Sequence, residues 1–150
     1  RFVCISCVVE SSAPDITVCY GRGLHVLPSL PGLGSLTCRD RWYYRDLLEP
    51  ANLVIPLVIS EAGVDGIIGG RPGPNGLGWK DFQGYFVEAG WGPDGTTAYI
   101  NQLGWYDAGV RQDGYVIGFT VFTAGAFGQW ESYDINDILP DLWNYHNGQG

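Results

Sequence analysis

The chain has 150 residues and a formal net charge of −8 at pH 7, with only 8 lysines and arginines. This balance excludes nucleic acid as an expected partner, because phosphate backbones are bound by clustered basic side chains. No apolar run approaches the ~20 residues needed to cross a bilayer, so we expect no membrane partner. The length suits one domain with a sizeable core. The sequence contains no methionine, which we interpret as a processed chain, a fragment or a recombinant piece.

All 4 cysteines lie in the first quarter of the sequence: Cys4, Cys7, Cys19 and Cys38. The first two have CxxC spacing, but a zinc site normally adds a second close pair of cysteines or histidines. No such pair follows, so we expect neither a metal site nor a cofactor. One or two disulfides and ordinary buried thiols remain alternatives.

The N-terminal segment, residues 1–22, is predicted to be irregular or strand-like. Phe2–Val9 and Ile16–Tyr20 are its two possible strands. The next apolar run, Leu24–Leu27, predicts a short strand that carries His25. A lone histidine with apolar neighbours is more often a core residue than a catalytic one.

The middle of the sequence predicts a helix followed by a strand. Arg39–Glu49 has apolar residues at helical spacing, and Pro50 supplies a stop signal. The run Val54–Ser60 is rich in β-branched residues and predicts a strand buried on both faces, although Pro56 cannot donate to a ladder. Glu61 follows at the C-terminal end of this strand, where parallel α/β folds place their chemistry. The alternative interpretation is a solvated loop acid that begins a turn.

A glycine-rich loop from Gly63 to Gly78 separates this strand from the longest predicted helix, Asp94–Asp113. The helix has one apolar face, a start capped by Asp94 or Thr96 and an end at Gly114; its face is formed by Tyr99, Leu103, Tyr106 and Val110. Tyr115–Thr123 predicts a second buried strand. A short closing helix starts near Asp137, with Pro140 in its first turn.

From Leu24 onward, strands and helices alternate three times, which predicts βαβ units and a parallel sheet. Right-handed crossovers would place all the strand C-termini on one side of the sheet. His25, Glu61 and the loop 122–130 would then share that side, and Glu61 would face the same cavity as Trp130. A carboxylate beside aromatic rings fits a sugar site, because the rings stack on pyranose faces while the acid binds hydroxyls or reacts.

Five segments carry a resemblance to a known family: PLVISEAGVDG, GWKDF, QLGWYD, RQDGYVIGFTVFTAG and WESYDI. They resemble the C-terminal part of secreted, mostly fungal glycoside hydrolase-like proteins of the retaining (β/α)8-barrel type. The resemblance spans roughly residues 39–146 and, loosely, 23–38. It implies a secreted protein with a partial (β/α)8 (TIM) barrel, in which about three C-terminal βα units occupy residues 23–150.

The resemblance also implies roles for individual strands. Leu24–Leu27 would be the sixth barrel strand, although relatives read Leu-His-Glu-Tyr where this chain has Leu-His-Val-Leu. Residues 115–123 would be the eighth strand. Glu61 matches the catalytic nucleophile at the end of the seventh. The acid/base of the family lies on the fourth strand, outside this chain.

Two hypotheses for function follow. In the first, the chain is a glycoside hydrolase, or its nucleophile-bearing portion, that acts on a polysaccharide or oligosaccharide. Glu61 would attack the anomeric carbon, while the sugar subsites would be lined by His25, Trp79 and Trp130. In the second, the chain is a non-catalytic fragment that binds carbohydrate or has a structural role.

Retaining hydrolysis needs two carboxylates about 5–5.5 Å apart. Proximity in the sequence offers Asp65, Glu88 and Glu131 as second acids, but each is better interpreted as a solvated loop acid, so we expect the isolated chain to be inactive. A partial barrel would also have open sheet edges, which favour self-association. Phe2–Val9 and Ile16–Tyr20 could instead fold back against the sheet as extra strands.

Overall fold

The computed structural model describes residues 3–5, 41–64, 66 and 78–148. These residues divide into two compact units. Unit 1 holds residues 3–5, 41–62 and 106–120, and unit 2 holds residues 63, 64, 66, 78–105 and 121–148. The predicted strands Ile16–Tyr20 and Leu24–Leu27, the latter with His25, lie outside the described residues.

The strands form one sheet in the order β1-β2-β3. They are β1 (Val3–Ile5), β2 (Leu57–Ala62) and β3 (Val116–Val121). β1 pairs with β2 in parallel, with Val3 opposite Leu57. This pairing places part of the predicted Phe2–Val9 strand beside β2, on the side where the resemblance assigns Leu24–Leu27.

Two contacts show how β3 lies along β2. The backbone N–H of Leu57, the first residue of β2, donates over 2.8 Å to the carbonyl of Tyr115, which directly precedes β3. Farther along, the Thr120 hydroxyl donates to the carbonyl of Ser60 over 2.5 Å. The two strands therefore run in the same direction, as expected for the predicted parallel arrangement.

Both long strands are less buried than the sequence predicts. β2 begins only after Pro56, and Val54 is exposed in the segment before the strand. The ring nitrogen of proline cannot donate to a neighbouring strand, which explains why the ladder starts at Leu57. In β3 no residue is fully buried, and Ile117 is exposed. The prediction of strands buried on both faces is therefore wrong for the described residues.

The predicted helix Arg39–Glu49 contains a π-type helix, Trp42–Leu48. Its wide turns show in two hydrogen bonds that span five residues, from Glu49 N–H to Tyr44 and from Leu53 N–H to Leu48. The Tyr44 ring is buried and stacks on Tyr115, with 4.1 Å between ring centroids. This stack packs the helix against the residue that precedes β3.

A buried ion cluster also holds unit 1 together. The carboxylate of Asp113 receives Arg41 Nε at 2.6 Å and an Arg45 guanidinium nitrogen at 2.5 Å. Its side chain is only 1% exposed. Arg41 also donates to the carbonyl of Gly109 over 2.6 Å. One buried carboxylate thus pairs with two guanidinium groups, so its removal would deprive both arginines of this ion pair.

Unit 2 is built from short helices around an aromatic core. They are a 3₁₀ helix at Trp79–Phe82, α1 (Gln83–Glu88), the first part of α2 (Gly95–Val110), 3₁₀ helices at Gly128–Tyr133 and Asn136–Ile138, and α3 (Leu139–Gly148). The buried core residues are Val64, Trp79, Phe82, Phe86, Ala98, Tyr99, Leu103, Ile135 and Ile138.

The predicted apolar face of helix α2 is confirmed, since the four residues that form this face are all buried: Tyr99, Leu103, Tyr106 and Val110. Its start is capped as predicted by Asp94, which accepts the Thr97 N–H at 2.9 Å. The end differs from the prediction. The helix stops at Val110 rather than at Gly114, so Asp113 is in position for its ion cluster.

The cap gives a pH-dependent prediction. Hydrogen bonds from the backbone and then the hydroxyl of Thr97 lower the pKa of Asp94. A carboxyl group whose pKa is lower in the folded chain stabilises it above the unfolded pKa, and this contribution is lost as the pH falls through the folded value. An Asp94→Ala variant should therefore unfold at less urea than the wild type at pH 7. The difference should shrink near pH 2.5, below the usual carboxyl pKa of about 3.9.

The control for this prediction is Asp94→Asn, which keeps an acceptor for the Thr97 N–H but carries no charge, so its stability relative to Asp94→Ala should change little between the two pH values. An equal loss in Asp94→Ala at both pH values would contradict the assigned role of the charged cap.

Candidate functional site

Glu61 is the fifth residue of the 6-residue strand β2. Side chains alternate along a strand, so Glu61 lies on the same face as Leu57 and Ile59. Those two are buried, whereas Glu61 is exposed at the C-terminal end. It takes part in at least one polar or electrostatic interaction. Glu61 therefore lies near the C-terminal end of the central strand of the sheet. Parallel α/β proteins place their reactive groups at the C-terminal ends of their strands.

The turn that follows β2 requires glycine. Gly63 has φ +142°, a conformation that side chains with a Cβ rarely adopt. A Cβ at this position would lie 3.0 Å from the hydroxyl oxygen of Tyr99 and 3.5 Å from the carbonyl oxygen of Phe122. The backbone after β2 therefore passes close to a buried tyrosine hydroxyl and to the first residue after β3.

Tyr99 is fixed by the aromatic core of unit 2. Its ring stacks on Trp79, with 4.7 Å between centroids and an interplanar angle of 2°, and lies nearly parallel to Phe86. Burial raises the pKa of the Tyr99 hydroxyl well above its ordinary value, so the group keeps its proton at neutral pH. The hydroxyl has no hydrogen-bond partner among the residues that the structure describes.

A second group of aromatic side chains follows β3, in a segment we call the aromatic loop, residues 122–133. Trp130 lies 5.4 Å from both Phe122 and Tyr133, centroid to centroid. Trp130 is 40% exposed, and Phe127 is 83% exposed. A partly exposed indole can stack on a sugar ring.

Asp134 holds the aromatic loop in place. One of its carboxylate oxygens accepts backbone N–H groups from Gly125 at 2.9 Å, from Asn136 at 3.3 Å and from Ala126 at 3.4 Å. Its own carbonyl accepts the indole N–H of Trp79 at 3.1 Å. Sequence reasoning missed this anchor. The signal was available as an Asp two residues before an Asn at a junction of turns, a pattern typical of side-chain-capped turns.

The predicted site residues are placed as follows. Glu61 belongs to unit 1 and Trp130 to unit 2, so their shared cavity stays a prediction. His25 lies outside the described residues. Trp79 is only 2% exposed, and the structure corrects its assignment to a sugar subsite, because its ring is packed on Tyr99 inside the core.

Two of the candidate second acids are also placed. Glu131 accepts the Gly128 N–H at 3.2 Å and so closes the first turn of a 3₁₀ helix. Glu88 is exposed at the end of α1. Both positions agree with the interpretation as surface acids, and Asp65 lies outside the described residues.

Neither a metal centre nor a membrane span is found in the described part of the chain. No group of three His, Cys, Asp or Glu side chains there could hold a metal ion. Within the same ranges, no helix is long and apolar enough to cross a membrane.

In comparisons with known proteins, no family model matches this sequence, and no curated protein or solved structure matches it.

Proposed function

We propose that this chain is the nucleophile-bearing part of a secreted, retaining glycoside hydrolase-like protein of the (β/α)8 type. The observation that carries the proposal is the exposed carboxylate of Glu61 at the C-terminal end of the central strand β2. The resemblance of the segment around Glu61 to such enzymes supports the same assignment. The partly exposed ring of Trp130 supports a carbohydrate as the ligand.

In this proposal Glu61 attacks the anomeric carbon of a glycoside, and the bond between that carbon and the leaving oxygen breaks. A second carboxyl group donates a proton to the leaving oxygen and later activates the water that cleaves the glycosyl ester. We assign no residue of this chain to that second role. The isolated chain should therefore bind or be glycosylated more readily than it hydrolyses.

The alternative is a carbohydrate-binding chain without catalysis. The exposure of Phe127 and Trp130 on the aromatic loop favours this alternative, because stacking on a sugar needs accessible rings but no nucleophile. The two functions differ in one chemical property, which is whether Glu61 forms a bond to the sugar.

A glycosyl fluoride with fluorine also at C2 tests this difference. Attack by Glu61 forms a bond to C1 and releases fluoride, which needs no proton from a second acid. We expect mass spectrometry of the wild-type chain, after incubation with gluco- and manno-configured reagents, to show one added sugar on the peptide that contains Glu61. The matched variant Glu61→Gln should remain unmodified.

A second arm uses intact β-linked polysaccharides. We expect no release of reducing sugar above the Glu61→Gln control, because the second acid is not assigned in this chain. Sugar-dependent tryptophan fluorescence that is lost in Trp130→Ala, without any adduct on Glu61, would favour the binding alternative. Labelling at a residue other than Glu61 would refute the nucleophile assignment.

A further inference from the structure

The two ends of the aromatic loop are joined by backbone hydrogen bonds within unit 2. The N–H of Thr123 donates to the carbonyl of Tyr133 at 3.3 Å, and the carbonyl of Thr123 accepts the N–H of Ile135 at 3.0 Å. Ile135 belongs to the buried core. Between these ends the loop contains turns and a short 3₁₀ helix, Gly128–Tyr133. Compact surface loops with joined ends frequently carry binding residues.

Asp134 joins the first turn of this loop to the residues that follow it. Its Oδ1 accepts the N–H groups of Gly125 at 2.9 Å, of Ala126 at 3.4 Å and of Asn136 at 3.3 Å. Gly125 has φ +72°, and a left-handed residue in a turn lets successive N–H groups converge on one anion. The carbonyl of Asp134 also accepts the indole N–H of the buried Trp79 at 3.1 Å. One residue therefore ties the start of the loop, its end and the core together.

The orientation of Trp130 depends on this closure. Its ring lies 5.4 Å from the ring of Phe122, nearly perpendicular to it, and 5.4 Å from the ring of Tyr133, centroid to centroid. Phe122 directly precedes Thr123, and Tyr133 directly precedes Asp134. The two rings that contact Trp130 thus belong to the two chain segments that are joined at the ends of the loop. If these segments separate, Trp130 loses the packing that orients it.

We propose that Asp134 is a positioning residue for sugar binding, whose carboxylate holds the aromatic loop in the form that presents the Trp130 ring to a pyranose. The inference rests on the carbohydrate ligand of the proposed function. The ligand class is a β-linked glycan, because each pyranose has a face of C–H groups that stacks on an indole. A loop that already has its bound form loses less conformational entropy on binding. Asp134 acts through Trp130 and is assigned no contact with the sugar.

The first measurement is the dissociation constant for cellohexaose and for mannohexaose, from titrations of the whole chain followed by tryptophan fluorescence. Asp134→Ala should raise the dissociation constant about tenfold, because this constant rises in inverse proportion to the fraction of chains with a competent loop. The matched control is Asp94→Ala, which also removes a carboxylate that accepts a backbone N–H in unit 2. This control should bind like the wild type, since Asp94 caps α2 and makes no bond to the aromatic loop.

Two further variants separate positioning from a loss of stability. Asp134→Asn keeps an acceptor oxygen for the same N–H groups and should recover most of the affinity. Asp134→Ser keeps a hydroxyl for the N–H of Asn136, two residues on, but is too short to reach Gly125. It should bind as weakly as Asp134→Ala, and it replaces that variant if Asp134→Ala fails to fold. Affinities that follow stability in every variant, Asp94→Ala included, would overturn the positioning role.

The second measurement detects the ring of Trp130 without any sugar. In a chain labelled with 5-fluorotryptophan, the ¹⁹F resonance of Trp130 is assigned by its loss in Trp130→Phe. In Asp134→Ala or Asp134→Ser it should move toward the chemical shift of free 5-fluorotryptophan. The resonance of Trp143, which is 67% exposed on α3, should stay in place as the internal control. An unchanged Trp130 resonance in either folded variant would overturn the proposal.

These outcomes can be told apart from those of the labelling experiment. Sugar binding that needs both Trp130 and Asp134, without a label on Glu61, supports this inference and refutes the nucleophile assignment. A label on Glu61, together with equal dissociation constants in the wild type and Asp134→Ala, overturns the positioning role and leaves the proposed function standing. Absence of binding of both hexasaccharides to the wild type also overturns this inference.

Discussion

An Asp113→Asn variant should lose about 3–5 kcal/mol of its free energy of unfolding. The substitution keeps the shape of the side chain but removes the negative charge that two arginines share at 2.5 and 2.6 Å. Arg41 is buried, so its guanidinium cannot recover this interaction from water. Since small domains are stable by only about 5–15 kcal/mol, we expect a large shift in a urea unfolding curve.

The matched control lies on the same unit of the chain. Asp107 pairs with Arg111 at 2.6 Å, one helical turn apart, and the arginine side chain is 64% exposed. Exposed pairs of this kind contribute about 0.3–0.5 kcal/mol, so Asp107→Asn should unfold close to the wild type. Equal losses in Asp113→Asn and Asp107→Asn would contradict a structural role for the buried cluster.

A Trp79→Ala variant should lose a similar amount, about 3–5 kcal/mol, because it leaves a cavity in the aromatic core. Trp79 stacks on Tyr99 and donates its indole N–H to Asp134, so the substitution removes both packing and a hydrogen bond. Urea unfolding followed by circular dichroism measures the loss. The control is Trp143→Ala on α3, whose ring is 67% exposed and whose loss should change stability by less than about 0.5 kcal/mol.

This experiment also tests the discarded subsite role of Trp79. If the residue contacted sugar, Trp79→Ala would weaken sugar binding while the chain kept its stability. That result would restore the interpretation drawn from the sequence.

Periodicity explains why the helices could be predicted. Tyr99, Leu103, Tyr106 and Val110 recur at helical spacing, and such a stripe is buried by almost any packing arrangement. The cap at Asp94 could be predicted for the same reason, because its partner Thr97 is only three residues away. Local rules determine these features.

The features that could not be predicted depend on contacts between distant parts of the chain. Asp113 pairs with Arg41 across 72 residues, and Trp79 bonds to Asp134 across 55. At the sequence level a tryptophan in a core and a tryptophan at a sugar site look alike, so Trp79 was assigned to the wrong environment. The start of β2 was predicted too early, because apolar composition outweighed the missing donor of Pro56.

The candidate site also has one part that local sequence predicts and one part that depends on contacts between distant residues. The position of Glu61 near the end of a strand could be predicted, since it follows an apolar run that leads into a glycine. The surroundings of the turn that follows could not, because the hydroxyl of Tyr99 borders the space beside Gly63 only in the folded chain. Apolar periodicity assigned the Tyr99 ring to the core but carried no information about its hydroxyl.

The parallel contact between β2 and β3 has a consequence for how fast the chain folds. Thr120 meets Ser60 across 60 residues, so the intervening segment must be closed into a loop before the strands can pair, at a cost in chain entropy. Helices α1 and α2 need only local contacts and can form much earlier. Folding rates fall as contacting residues lie farther apart in sequence, which makes sheet formation the slow step. Until then the apolar side chains of β2 stay open to other chains, and refolding should give lower yields as the protein concentration rises.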